Sequence, residues 1–113
     1  MKHLDIITKN AVRLFSEALS RQHYPLFGLL LFGSRARHTQ HTESDADVAV
    51  LLDGEPKNFI ATKLMLDDIA YDILLETGMR IQPLPIWKSE WQHPDKYRNP
   101  RLLENIRREG ISL

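Results

Sequence analysis

The sequence predicts a small α/β (α+β) domain, a mixed β-sheet packed by helices. Three observations lead there. Long segments carry apolar residues at spacings of three and four, the mark of helices that bury one stripe. Three short apolar runs, each bounded by Gly, Pro or a polar turn, have the length of strands. The segments follow one another as helix, strand, strand, helix, strand, helix, an order that sets helices against a sheet. At 113 residues the chain is expected to form one domain, residues 1–113.

Residues 2 to about 20 read as an amphipathic helix, with Leu4, Ile7, Ala11, Leu14, Phe15, Ala18 and Leu19 on its apolar stripe. Pro25 ends any helix. Leu26 to Phe32 is a short, continuous apolar run and reads as a buried strand. Gly33 breaks it. Residues 34 to 38 suit a short helix or turn, and "HTQHTESD" is a polar loop. Asp47 to Leu52 reads as a second strand, closed by the breakers of "DGEPKN".

Residues 58 to 77 read as a second long helix on the stripe Leu66, Ile69, Ala70, Ile73 and Leu74, with Gly78 as its C-terminal cap. "MRIQPLPIW" is a third strand. Pro83 and Pro85 have no N–H to give a ladder, which places it at a sheet edge. A turn or short helix is expected around Ser89 to Trp91. "NPRLLENIRREG" is a last helix, with Asn99 as N-cap, Pro100 at the first helical position and Gly110 beyond the last turn.

Composition narrows the function classes. Lys plus Arg is 15 and Asp plus Glu is 15, so no basic excess marks a general nucleic-acid binder, and direct nucleic-acid binding is not expected. With no cysteine, disulfide frameworks and Cys-based metal sites are excluded. The longest apolar run is far too short to span a membrane. The N-terminus "MKHLDIITKN" lacks the apolar core of a signal peptide. A soluble, cytoplasmic protein is the expectation.

The chemistry concentrates in "LFGSRARHTQHTESDADVAV", residues 31 to 50. Asp45 and Asp47 are two apart, so on a strand they share a face, roughly 7 Å apart at Cα. Two carboxylates on one face repel unless a cation answers them, and oxygen ligands suit Mg²⁺. An isolated Asp-x-Asp is more often a pair of solvated loop carboxylates. Gly33-Ser34 changes that reading. Gly at the end of a strand permits a sharp turn and close backbone approach to a ligand. The Ser34 hydroxyl and the N–H groups after it suit phosphate oxygens, and Arg35 and Arg37 offer charge-assisted bonds to them. One loop offers anion donors and the next strand offers cation ligands, the two needs of a metal–triphosphate complex.

"GSRARHTQHTESDAD" resembles the signature of the minimal nucleotidyltransferases of the DNA polymerase beta-type superfamily: Gly-Ser, ten intervening residues, then Asp-x-Asp. The element order is similar to that family's catalytic core. The resemblance implies Mg²⁺-dependent transfer of a nucleoside monophosphate, usually AMP from ATP, to a hydroxyl. Gly33, Ser34, Arg35 and Arg37 would bind the nucleotide, and Asp45 and Asp47 would be the metal ligands and catalytic residues. It also implies a partner, a HEPN-domain toxin that receives AMP on a tyrosine, so that the chain acts as antitoxin.

The pattern departs from the family at one place. Many members carry a third carboxylate on a neighbouring strand, and the matching residue here is Gln82. Its carbonyl can ligate a metal, but it brings no charge and is no general base. The alternative implied is a weak or inactive nucleotidyltransferase fold that neutralises its partner by binding. Asp67, Asp68 and Asp72 are substitutes for the missing carboxylate or simply a solvated helix face. Glu43 reads as a loop residue, and His38 and His41 as loop histidines or groups that touch phosphate when protonated. Trp87, Trp91, Tyr97 and Arg98 cluster in "IWKSEWQHPDKYRNP", either closing the sheet or forming an interface.

Overall fold

The computed structural model describes residues 5–33 and 45–113. Its elements are α1 (Ile6–Arg21), β1 (Leu26–Phe32), β2 (Ala46–Leu52), α2 (Phe59–Thr77), β3 (Ile81–Trp87), α3 (Lys88–Gln92), a 3-10 turn (Pro94–Lys96), α4 (Pro100–Glu109) and β4 (Ile111–Ser112). The four strands form one mixed sheet in the order β3-β2-β1-β4. β1 runs antiparallel to β2 and to β4, and β2 runs parallel to β3. A parallel pair cannot be joined by a tight turn, and α2 supplies the crossover between β2 and β3.

The helices begin and end where their side chains dictate. Asp5 caps α1 by accepting from Thr8 N at 2.7 Å, and Asn58 caps α2 by accepting from Ala61 N at 2.8 Å. Gly78 stops α2 with a left-handed φ of 77°, a conformation that costs glycine nothing. Asn99 accepts from Leu102 N at 3.3 Å, and Pro100 opens α4 as expected.

Period-two alternation splits the sheet into two faces. On one, Leu29, Leu31, Val48, Val50, Leu52, Ile81 and Trp87 pack against α1 and α2. On the other, Leu30, Phe32, Ala49, Leu51, Leu84 and Ile86 pack with Tyr97, Leu103 and Ile106 under α4. β3 lies at the sheet edge as its prolines require. Pro83 and Pro85 are two apart, so both ring nitrogens turn to the same side, the outer edge, and β2 keeps its partners.

Three expectations change. Ile7 is exposed rather than on the buried stripe of α1, whose inner face uses Thr8 and Val12 instead; Leu4 lies outside the described residues. The second strand begins at Ala46, one residue earlier than expected. A short β4 follows α4, set by pairing of Ile111 with Leu31 and Ser112 with Leu30. Trp87 is buried in the core, and Trp91 packs under α4 with the Arg107 guanidinium 4.1 Å above its ring. Both tryptophans therefore close the sheet. Arg98 stacks 4.0 Å over Phe59 and ties the C-terminal segment to the start of α2. Among the described residues, no helix is long and apolar enough to cross a membrane.

Candidate active site at one end of the sheet

β1 ends, and β2 and β3 begin, at the same end of the sheet. The strand registers pair Phe32 with Asp47 and Asp47 with Gln82. Gly33, Asp45, Asp47 and Gln82 are thereby brought together, although the last is far from the others in sequence. Asp47, Ala49 and Leu51 alternate onto the α4 face, and so do Gln82, Leu84 and Ile86, so the carboxylates and the amide share one side.

Gly33 has a φ of 75° and lies against Asp47. A Cβ built on Gly33 would fall well inside 3.0 Å of the Asp47 carboxylate oxygen Oδ2, closer than real Cβ contacts come. Both facts demand glycine: the left-handed backbone, and the space the carboxylate occupies. The sharp turn expected of Gly33 is present, and the group that packs against it is the Asp47 carboxylate, a contact the sequence did not announce. Ser34, Arg35, Arg37, His38, His41 and Glu43 lie outside the described residues.

Asp45 is held from β3. The Gln82 side-chain amide Nε2 donates to Asp45 Oδ2 at 3.1 Å. The Arg80 guanidinium Nε is 3.9 Å from Asp45 Oδ1. Ala46 N donates to Arg80 O at 2.9 Å and starts the parallel ladder there. The Arg80–Asp45 pair is substantially solvent-exposed and contributes little by itself to stability. Arg80 was not among the sequence-predicted site residues; the available signal was its position two residues before Gln82, immediately ahead of β3.

Two clefts flank this end of the sheet. One, of about 440 Å³, lies between α2 and β3 and is lined by Asp68, Tyr71, Arg80 and Gln82 among others. The second, of about 270 Å³, lies between Gly33 and α4, with Asn105, Arg108 and Glu109 in its wall. Of the helix carboxylates, Asp67 pairs with Lys63 at 2.6 Å. Asp68 lines the first cleft, whereas Asp72 lies on the exposed helix surface outside that lining. No group of three His, Asp or Glu converges as a metal site among the described residues. Asp45 and Asp47 nevertheless fit Mg²⁺ by the chemistry of the donor set: two hard carboxylates on one side of a strand end.

Residues 16–85 match the family model "Polymerase beta, Nucleotidyltransferase". Among solved structures, the chain is similar to one described as a crystal structure of a toxin-antitoxin with AMP-PNP. The TM-score is 0.63 at 20% identity, over 92% of this chain and 70% of that one. It is also similar to a putative nucleotidyltransferase from Sulfolobus solfataricus, with a TM-score of 0.57 at 15% identity, over 99% of this chain and 89% of that one. No curated protein matches the chain.

Proposed function

The chain belongs to the polymerase beta nucleotidyltransferase family, and on that premise we propose that it transfers AMP from ATP to a hydroxyl, a tyrosine of a partner HEPN toxin, and so acts as its antitoxin. The observation that carries this reading is the close approach of Gly33 to Asp47 at the sheet end shared with Asp45. A glycine turn for phosphates and two carboxylates for a cation meet there.

In this reading Asp45 and Asp47 hold Mg²⁺, which, when bound, offsets the charge that develops on the phosphates. Gly33 and Ser34 hold the triphosphate, with Arg35 and Arg37 pairing with its oxygens. The acceptor oxygen attacks the α-phosphorus as the bond to the β-phosphate oxygen breaks. Pyrophosphate leaves, and the hydroxyl proton passes to solvent. Gln82 takes no proton; its amide orients Asp45. A tyrosine acceptor, with a reference pKa of about 10, loses its proton more readily than an aliphatic alcohol and makes less demand on a protein base.

The second reading, a nucleotidyltransferase fold that neutralises its partner by binding alone, is favoured by Gln82 in place of a third carboxylate. Incubation of the chain with the protein encoded beside it, labelled ATP and Mg²⁺ separates the two. Label on a partner tyrosine, lost with EDTA and in D45N/D47N, supports transfer. Neutralisation of the partner's toxicity without label supports binding alone.

A further inference from the structure

Helix α2 is apolar on two opposed sides. Leu66, Ile69, Ala70 and Ile73 face the core. Ile60, Leu64, Tyr71 and Leu75, spaced four, seven and four residues apart, form a second ridge roughly opposite, within a 60° arc at 100° per residue. They are 60%, 59%, 57% and 68% exposed. A helix apolar all round belongs in an interior, and scattered exposed leucines do not line up in this way. No described residue covers the ridge.

Charge decides what fits it. Asp68 and Asp72 border the ridge along one side, and Glu76 follows on the same helix. Lys63 is the sole cation of α2, and Asp67 already holds it at 2.6 Å. A second copy docked about a two-fold axis midway along the ridge would bring Asp68 against the Asp68 of its mate, like charge on like. A surface with an apolar ridge bordered by Lys or Arg would meet no such repulsion.

Position decides what the contact would serve. Tyr71 and Asp68 belong both to this surface and to the wall of the 440 Å³ cleft that holds Arg80 and Gln82. Those two residues reach Asp45. A protein laid along the ridge therefore runs into the cleft beside the metal ligands. We propose that the exposed face of α2 is the docking surface for the acceptor protein, which presents an apolar ridge bordered by basic side chains and directs its hydroxyl through this cleft. The inference rests on the transfer reading above for the identity of the acceptor, but docking itself is measured by binding alone.

The probe is the purified product of the adjacent reading frame, titrated calorimetrically against the full chain. Leu64→Glu with Leu75→Glu should raise Kd at least tenfold, and Asp68→Lys with Asp72→Lys should do the same. Ile7→Glu, an equally exposed apolar position on α1, should bind as the parent does. Should the glutamate pair melt early, Leu64→Ala with Leu75→Ala gives the same readout with a smaller change. D45N/D47N should bind at parent affinity: loss of transfer with binding retained upholds the catalytic reading, transfer retained overturns it, and neither touches the docking surface. Three results overturn the docking surface: ridge variants that bind like the parent, no binding of the parent to the probe, or a dimer of the chain alone that Leu64→Glu with Leu75→Glu dissociates in sedimentation.

Discussion

Gln82 Nε2 donates a 3.1 Å hydrogen bond to Asp45 Oδ2, across the parallel register that sets Gln82 beside Asp47. The position where a third carboxylate is expected is therefore filled by a donor. A carboxylate there would add to the negative charge around the proposed metal site; the amide instead satisfies one oxygen of Asp45 and fixes the orientation of its carboxyl group. The parallel register is what makes this pairing possible, because α2 returns β3 beside β2 with its start at the same sheet end.

Gln82→Asp tests that arrangement. The variant loses the bond to Asp45 and gains a charge beside two others, so its melting temperature without metal should fall, by roughly 4 °C for each kcal/mol lost in a domain of this size. With Mg²⁺ and ATP the added charge finds a counter-charge, and the thermal gain should exceed that of the parent. Melting curves of both proteins with and without Mg²⁺–ATP check this. An equal gain in both would mean that residue 82 does not contribute to the metal site.

Gly33→Ala meets two obstacles at once. Its φ of 75° costs an L-residue about 1–2 kcal/mol, and the new Cβ takes the space of the Asp47 carboxylate. The melting temperature should drop by roughly 4–8 °C, and the affinity for ATP in the presence of Mg²⁺ should fall by more than stability alone explains, since Asp47 is displaced. Gly54→Ala is the control: it also has a positive φ, 89°, but nothing lies within 4 Å of its added Cβ. It should lose stability and keep its affinity, as measured by calorimetry.

How much of this was legible in the sequence depends on the range over which each signal acts. The end of α2 and the start of α4 were, because Gly78, Asn99 and Pro100 act within a turn of their own position; α1, expected from residue 2, begins at Ile6 behind the Asp5 cap, and Asn58, read as the first residue of α2, is its N-cap. The edge strand was, because Pro83 and Pro85 exclude a central place. The contact of Gly33 with Asp47 and the bond from Gln82 to Asp45 both depend on strand registers that no local pattern fixes. Thr8 took the buried place assigned to Ile7 because the α1 face is set by what it packs against, not by hydrophobicity alone. The second ridge of α2 was not legible because Ile60, Leu64, Tyr71 and Leu75 are spread over about four turns among charged residues, and the stripe of Leu66, Ile69, Ala70 and Ile73 already accounts for a buried face. β4, two residues long, carries too little pattern to detect.

Asp45→Asn with Asp47→Asn keeps shape and removes both proposed ionic ligands. Asp45 is partly exposed, and its pair with Arg80 is long, 3.9 Å, so the fold should survive with a melting temperature within a few degrees of the parent. Mg²⁺-dependent ATP binding should be lost. Calorimetry of ATP with Mg²⁺ against ATP with EDTA reads this directly: the parent should bind in the first condition only, and the variant in neither. A variant that retains Mg²⁺-dependent binding would put the metal site elsewhere.

Tyr97 gives the fold a limit on the alkaline side. Its side chain is buried under α4, and its hydroxyl has no protein hydrogen-bond partner among the described residues. Burial raises the phenol above its ordinary value of 10.0; the Glu90 carboxylate pushes the same way, and Arg98 opposes them. The unfolded chain, with an ordinary phenol, thus releases its proton at lower pH than the folded one. Between those two values the folded state binds more protons, and stability falls as pH rises. The contribution is complete below pH 10 and is lost as pH climbs through the raised value. Tyr97→Phe removes the ionisation and an unpartnered buried hydroxyl together. The variant should be at least as stable as the parent at pH 7, and its melting temperature should decline less between pH 9 and pH 11. Tyr24 shares the direction, raised by burial and then by Asp68, so Tyr97→Phe alone should remove only part of the decline, and the double variant with Tyr24→Phe more of it. Parallel slopes for parent and Tyr97→Phe would show that this phenol is not what the alkaline transition titrates.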